Sequence, residues 1–247
     1  MRLVIVGSGD AFGSGGRANT CFWLEAGAAT LAIDFGATSL VALKQMGLDP
    51  NRIDAVVISH LHGDHFGGLP FLLLDAQFDS RRDTPLTIVG PVGLRERLTA
   101  AQEVFFPGSS KNEWRFALDV VELPCGTPRQ VAGIEVVSFE VVHPSGAPAT
   151  ALRLTDGKRT LAYSGDTSWT DRLADAASGA DLLIVECYRL ASAPANHLDL
   201  ATLDAKRTVL GAGRILLTHL SDEVLGEIPA IEAKGYEVAR DGLVIEI

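Results

Sequence analysis

The chain of 247 residues is 47% hydrophobic and carries a formal net charge of -10, enough length for one large domain or two small ones and enough apolar side chains for a substantial core. The acidic balance removes any global electrostatic reason to bind nucleic acid, because phosphate affinity rests on clustered lysine and arginine. Cys21, Cys125 and Cys187 are odd in number, far apart and free of a C-x-x-C spacing, which suggests neither a disulfide framework nor a thiolate zinc site and reads as three small buried hydrophobes.

Apolar runs such as residues 71–74 and 182–185 fall far below the roughly 20 residues of a membrane-spanning helix. The N-terminus runs straight into the strand-like Arg2-Leu3-Val4-Ile5-Val6, so a soluble, cytoplasmic protein with no cleaved signal and no membrane partner is expected. Arg81-Arg82 and Arg95 with Arg97 are the candidates for a local basic patch and read as ordinary solvated arginines.

Taken in chain order, residues 3–6, 21–25, 31–33 and 55–59 read as strands, with helices predicted over 37–46 and 68–78. Residues 87–89 then precede a Gly90-Pro91 turn and a helix of about 14 residues from Val92 onward. A second series runs through 116–123, 134–142, 151–154 and 160–164, then alternates helix and strand through 182–186, 200–210 and 215–218, with a last strand at 243–247. Consecutive strands followed by helix–strand pairs in each half predict two mixed β-sheets packed together with helices outside, a four-layer αββα sandwich of the α/β class. The ligand site of such a fold belongs at the edge where strands of both halves end. No Pro/Gly/Ser-rich linker divides the chain, and the candidate metal residues run from His60 to His219, so one domain over 1–247 is expected.

The densest chemistry follows the apolar run Ala55-Val56-Val57-Ile58-Ser59, as His60-Leu61-His62-Gly63-Asp64-His65. A tight turn after a strand lets these donors face one point, with Gly63 expected to let the backbone bend between them. Imidazole and carboxylate suit zinc and related divalent metals. Three histidines and an aspartate so close together are costly to desolvate without a cation, which argues against a polar loop of satisfied side chains. Six residues cannot close two coordination spheres, and three further candidates sit at predicted strand ends: His143 before Pro144, Asp166 after Gly165, and His219 after Thr218. His197, in Ala195-Asn196-His197-Leu198-Asp199-Leu200, completes the chain's six histidines and lies ahead of a predicted helix.

The segment ISHLHGDHFGG at 58–68, the strand-terminal His143, Ser164-Gly165-Asp166-Thr167, Leu217-Thr218-His219, and the openings Gly7-Ser8-Gly9-Asp10 and Arg17-Ala18-Asn19-Thr20 resemble the metallo-β-lactamase fold superfamily. Within it they resemble the ribonuclease Z-like branch of phosphodiesterases. That resemblance implies two divalent ions, zinc first with manganese or iron as alternatives. His60, His62 and His143 would hold one, Asp64, His65 and His219 the other, and Asp166 would bridge them. Two dications against two carboxylates leave net positive charge for a hydroxide and an anionic substrate. Asp34 either orients one of the imidazoles or caps its own turn. The resemblance further implies that His197 donates a proton to the leaving oxygen, paired with Glu186, and that Asp64 helps pass the proton. A carboxylate beside an imidazole raises its pKa, which favours the cationic form of a general acid. The implied reaction is hydrolysis of a phosphodiester by a metal-bridging hydroxide.

The glycine-rich start, Gly7 to Gly16, has neither the P-loop nor the dinucleotide spacing. It reads as a close-packed rim loop whose backbone amides could meet a substrate phosphate. Transfer-RNA-processing members of the branch carry a long arm between the third histidine motif and S-G-D-T, whereas 22 residues separate His143 from Asp166 here. The expected substrate is therefore a small phosphodiester, a cyclic nucleotide or short nucleic acid, with a tRNA precursor disfavoured though not excluded and a homodimer left open. The alternative is a thioester or lactone hydrolase of the glyoxalase II-like type. Those relatives append a substrate-binding region, against 28 residues here after His219. A flavo-diiron redox reading is weakened by His at position 62, and class B β-lactam hydrolysis by Asp at position 166. A non-catalytic metal-binding protein is the remaining reading.

Overall fold

The computed structural model describes residues 1–247. The first half of the chain contributes β1 (Arg2–Gly7), β2 (Cys21–Ala26), β3 (Ala29–Ile33), α1 (Ser39–Gln45), β4 (Ala55–Val57), α2 (Gly63–Phe66), α3 (Leu69–Leu74), β5 (Leu86–Gly90), α4 (Leu94–Phe105) and β6 (Leu118–Glu122). The second half contributes β7 (Arg129–Val131), β8 (Ile134–Val141), β9 (Ala149–Thr155), β10 (Thr160–Tyr163), α5 (Asp171–Ala177), β11 (Leu182–Glu186), α6 (Leu200–Leu210), β12 (Arg214–Thr218), α7 (Asp222–Leu225), α8 (Ile228–Ala233), β13 (Glu237–Val238) and β14 (Val244–Glu246). Two seven-stranded sheets result, ordered β14-β1-β2-β3-β4-β5-β6 and β13-β12-β11-β10-β9-β8-β7. Each combines an antiparallel part with a parallel part. This is the αββα sandwich expected.

Strand alternation explains the layers. On β1, Leu3 and Ile5 join the core between the sheets, while Val4 and Val6 pack outward with Leu43 of α1 and Leu72 of α3. On β11, Leu182 and Ile184 point to the same central core, and Leu183 and Val185 pack outward with Leu173 of α5 and Leu203 of α6. Both faces of these strands are apolar because both are covered. Each such side chain contributes about 1.5–3 kcal/mol when fully buried, so replacing Ile184 by a charged residue would be strongly destabilising. No helix is long and apolar enough to cross a membrane.

Several expectations need correction. The helix over 68–78 is divided, because α3 stops at Leu74 and a wider π-type turn covers Asp75–Asp79. Strand 55–59 ends at Val57, releasing Ile58 and Ser59 toward the site. The short strands β7 and β13 carry too few residues for a periodicity to be visible. Arg82 is not solvated: it is 2% exposed and donates to the carbonyls of Thr84, Ile53, Pro50, Asn51 and Pro85, tying down a loop. Cys21 and Cys187 are buried, but Cys125 is exposed.

Candidate metal centre

The parallel strands β3 and β4 of one sheet, and β10, β11 and β12 of the other, bring their carboxyl ends to one edge. β8 ends there too, since it and β10 both run antiparallel to β9. Asp34 follows β3, the His60–His65 cluster follows β4, His143 follows β8, Asp166 follows β10, Glu186 closes β11 and His219 follows β12. Thr150 of β9 ties the two sheets at this edge, its N–H and hydroxyl donating to Ser59 O at 3.1 and 2.7 Å.

Local backbone geometry aims the side chains. Asp34 and His219 have φ of 56° and 57°, a left-handed conformation that costs a non-glycine residue about 1–2 kcal/mol and turns each strand end inward. Gly165 shares it, with φ of 57°, and a Cβ there would lie 2.7 Å from Thr150 O. Within the cluster, residues 63–66 form the single turn α2, with Phe66 N–H donating to His62 O at 2.9 Å. Gly63 has no left-handed φ, and a Cβ there would meet nothing within 4 Å, so the bending role expected of it is not needed. The glycine that matters is Gly36, where a Cβ would lie 2.1 Å from Asp64 O.

Backbone acceptors fix two of the imidazoles. A carbonyl oxygen only accepts, so His62 Nε2–H donates to Pro144 O at 3.1 Å and His143 Nδ1–H donates to Asn196 O at 2.9 Å. Their other nitrogens, His62 Nδ1 and His143 Nε2, then face each other as lone pairs only 3.0 Å apart. A cation between them relieves that repulsion, and burial holds His143 below its ordinary pKa, which disfavours a proton in that role. Asp34 fixes two more. It accepts from His65 Nδ1–H at 2.8 Å and from Ser59 Oγ–H at 2.7 Å, while Ser59 Oγ accepts from His60 Nδ1–H at 3.1 Å. One buried carboxylate thereby presents His60 Nε2 and His65 Nε2 to the interior.

Those two nitrogens and Asp166 Oδ1 are buried without a hydrogen-bond partner, a costly arrangement unless an ion is held there. Ligand atoms of His60, His62 and His143 lie within 4.8 Å of one another, as do those of Asp64, His65, Asp166 and His219. Asp166 lies between the groups, its oxygens 3.3 Å from His65 Nε2 and His219 Nε2 and 3.9 Å from His60 Nε2 and His143 Nε2. Asp64 Oδ2 is 3.2 Å from His65 Nε2 and 3.3 Å from His219 Nε2. Burial opposes the charge on Asp166, but His219, His65 and His60 hold it well below the usual carboxylate range. Burial likewise opposes charge on His219, yet Asp166 and Asp64 raise it to about 9. The donor set, its orphaned atoms and its two carboxylates fit divalent cations.

His197 stands beside the cluster. Its Nδ1–H donates to Glu186 Oε2 at 3.0 Å, and Glu186 also accepts from Thr167 N–H. Burial opposes protonation of His197, but the Glu186 contact outweighs it and the pKa is raised. His62, Asp64, His143, Asp166, His197 and His219 line a cavity of about 390 Å³ whose remaining wall includes Ala11, Phe12, Tyr188, Pro194 and Ala195. The structure brings together every site residue singled out in the sequence. Ser59, and the carbonyls of Pro144 and Asn196, were missed. Ser59 precedes His60 directly and could have been suspected; a backbone carbonyl carries no side-chain signal.

The family model for the Anti-Pycsar protein Apyc1 matches residues 1–239. The chain belongs to that family. This Apyc1-family chain is 28% identical over 260 residues to the probable metallo-hydrolase YhfI of Bacillus subtilis, covering 100% of both chains. It is 30% identical over 240 residues to the uncharacterized protein Rv1339 of Mycobacterium tuberculosis, covering 95% of this chain and 86% of the relative. The crystal structure of YhfI, described as a metallo-β-lactamase fold protein, superposes with a TM-score of 0.79 at 25% identity over 99% of each chain. That of human tRNase Z, short form, superposes with a TM-score of 0.78 at 26% identity over 100% of this chain and 99% of the other. The Apyc1-family chain therefore has the metallo-β-lactamase fold, on the ribonuclease Z-like side of the superfamily.

Proposed function

We propose that the chain is a metal-dependent hydrolase of small phosphodiesters, a single domain over 1–247 holding two divalent ions, zinc first. His60, His62 and His143 would hold one ion and Asp64, His65 and His219 the other, with Asp166 shared. Bound divalent ions supply positive charge for the phosphoryl oxygens and acidify water to near neutrality. His197 is the general acid: Glu186 holds its Nδ1–H and leaves Nε2 to protonate the departing oxygen. Asp64, in contact with His65 and His219, helps pass the proton. The His197–Glu186 pair at 3.0 Å, on a wall of the same cavity, is the observation that carries the reading, because the alkoxide expelled from a phosphodiester needs a proton that the thiolate expelled from a thioester does not.

Several features support a small substrate. The residues between His143 and Asp166 are spent on β9 and β10, closed by Asp156 N–H donating to Arg159 O at 3.3 Å, so no arm projects there to grip a folded RNA. The cavity is about 390 Å³, within the ordinary range for small-molecule sites. Cyclic nucleotides and short oligonucleotides fit these limits; the relatives named as ribonuclease Z act within the same phosphodiester chemistry.

Turnover of bis-p-nitrophenyl phosphate, cyclic nucleotides and a thioester should be compared in the parent and in His197→Ala. The expected result is cyclic-nucleotide turnover lowered about 10²–10⁴-fold in the variant with metal content retained, and turnover of the p-nitrophenyl ester lowered far less, because nitrophenolate departs without a proton. Faster thioester turnover, indifferent to the substitution, would favour the glyoxalase II-like alternative.

A further inference from the structure

The cavity is not lined by polar groups alone. Beside its histidines and aspartates it carries Phe12, which is 81% exposed, with Ala11, Pro194 and Ala195. Phe12 belongs to the glycine-rich loop whose backbone amides looked suited to a phosphate, but most of those amides are already engaged. Asp10 Oδ1 accepts from Phe12 N–H at 3.1 Å and Ser14 N–H at 3.0 Å, Asp222 accepts from Gly15 N–H at 3.0 Å, and Asp241 accepts from Ser8 N–H at 2.9 Å and Ala18 N–H at 2.8 Å. Three carboxylates make the loop a poor anion cradle. They also hold the backbone in one shape, with Gly13 next to Phe12 at φ of 71°, so the loop brings an aromatic side chain to the cavity in place of amides.

We propose that Phe12 is the platform on which the nucleobase of a nucleoside phosphodiester stacks while its phosphate lies among the histidines. This rests on the phosphodiester reading above, which already admits nucleotides, and adds the residue that holds the base. A planar base has a π-face whatever its identity, so stacking on Phe12 would select nucleotides without strict preference among bases. A platform carried on a backbone already held by hydrogen bonds adds affinity because the loop itself need not be ordered on binding.

Isothermal titration of the zinc-loaded protein with adenosine 5′-monophosphate and with ribose 5-phosphate isolates the base, since the two ligands share their sugar and phosphate. The parent should bind the nucleotide the more tightly. Phe12→Ala should weaken nucleotide binding between about five- and 150-fold and leave ribose phosphate unchanged, and Phe12→Trp should restore the difference. With 3′,5′-cyclic adenosine monophosphate as substrate, Phe12→Ala should raise KM at unchanged kcat. Equal binding of the two ligands by the parent, or nucleotide binding indifferent to Phe12→Ala, overturns the proposal while the phosphodiester reading stands. Binding of neither ligand, with no turnover of 3′,5′-cyclic adenosine monophosphate, overturns both.

Discussion

His197 and Glu186 form a buried-to-exposed pair: the carboxylate has no exposed side-chain surface, the imidazole retains 21%, and Nδ1 meets Oε2 at 3.0 Å. The buried partner is further held by Thr167 N–H, so the exposed ring is the member that can turn its second nitrogen to a ligand. Burial pushes the Glu186 carboxyl up as well.

This arrangement sets a pH dependence. A general acid works only while protonated, so activity should fall as pH rises through the raised pKa of His197. Glu186→Gln removes the charge that outweighs burial at His197. The alkaline limb of kcat should then move to lower pH by about one unit or more. A profile of kcat against pH that does not move would remove Glu186 from this role.

Asp34 is linked to imidazoles on both sides of the cluster, directly to His65 and through Ser59 to His60. Asp34→Ala leaves Ser59 N–H and His65 Nδ1–H without their acceptor and frees both rings to turn. Metal affinity, read by chelator competition, should weaken about 10–100-fold. Unchanged affinity would mean that packing alone orients the rings.

Metal binding should expel protons. Without metal, Asp166 and Asp64 overcome burial to raise His219 to about 9, and His65 lies well above its ordinary value. An entering cation must displace those protons, so affinity should rise as pH increases from 6 toward 9, where roughly neutral ligands are needed. Calorimetry in two buffers of different ionisation enthalpy should give different apparent heats. The metal-free fold should behave oppositely: His219, raised above its ordinary 6.5, contributes stability fully below that value and loses it as pH passes about 9.

Gly36 has no room for a side chain, a Cβ there lying 2.1 Å from Asp64 O and 2.5 Å from Asn19 Cβ. Gly36→Ala should cost about 1–3 kcal/mol in denaturant unfolding and reduce metal content together with it, since the displaced turn carries Asp64 and His65.

What was legible in the sequence were the strand ends. Donors at His60–His65, His143, Asp166 and His219 each follow an apolar run, and parallel strands must finish on one edge. The π-type turn at Asp75–Asp79 was not legible, since helical periodicity continues through it. Neither was the left-handed turn at Asp34, which permits that carboxylate to serve two rings. The glycine-rich loop misled in a specific way: its amides invite an anion, but Asp222 and Asp241, far along the chain, occupy several of them. Long-range side-chain partners of that kind leave no local pattern.

In the proposed centre, seven side chains from distant parts of the chain gather two cations. Anomalous diffraction from crystals of the zinc-loaded protein tests it most directly. Two peaks about 3.5–4 Å apart, one among His60, His62 and His143 and the other among Asp64, His65 and His219 with Asp166 between, are the predicted result. A single peak outside these side chains, or none at full occupancy of the metal in solution, would contradict it.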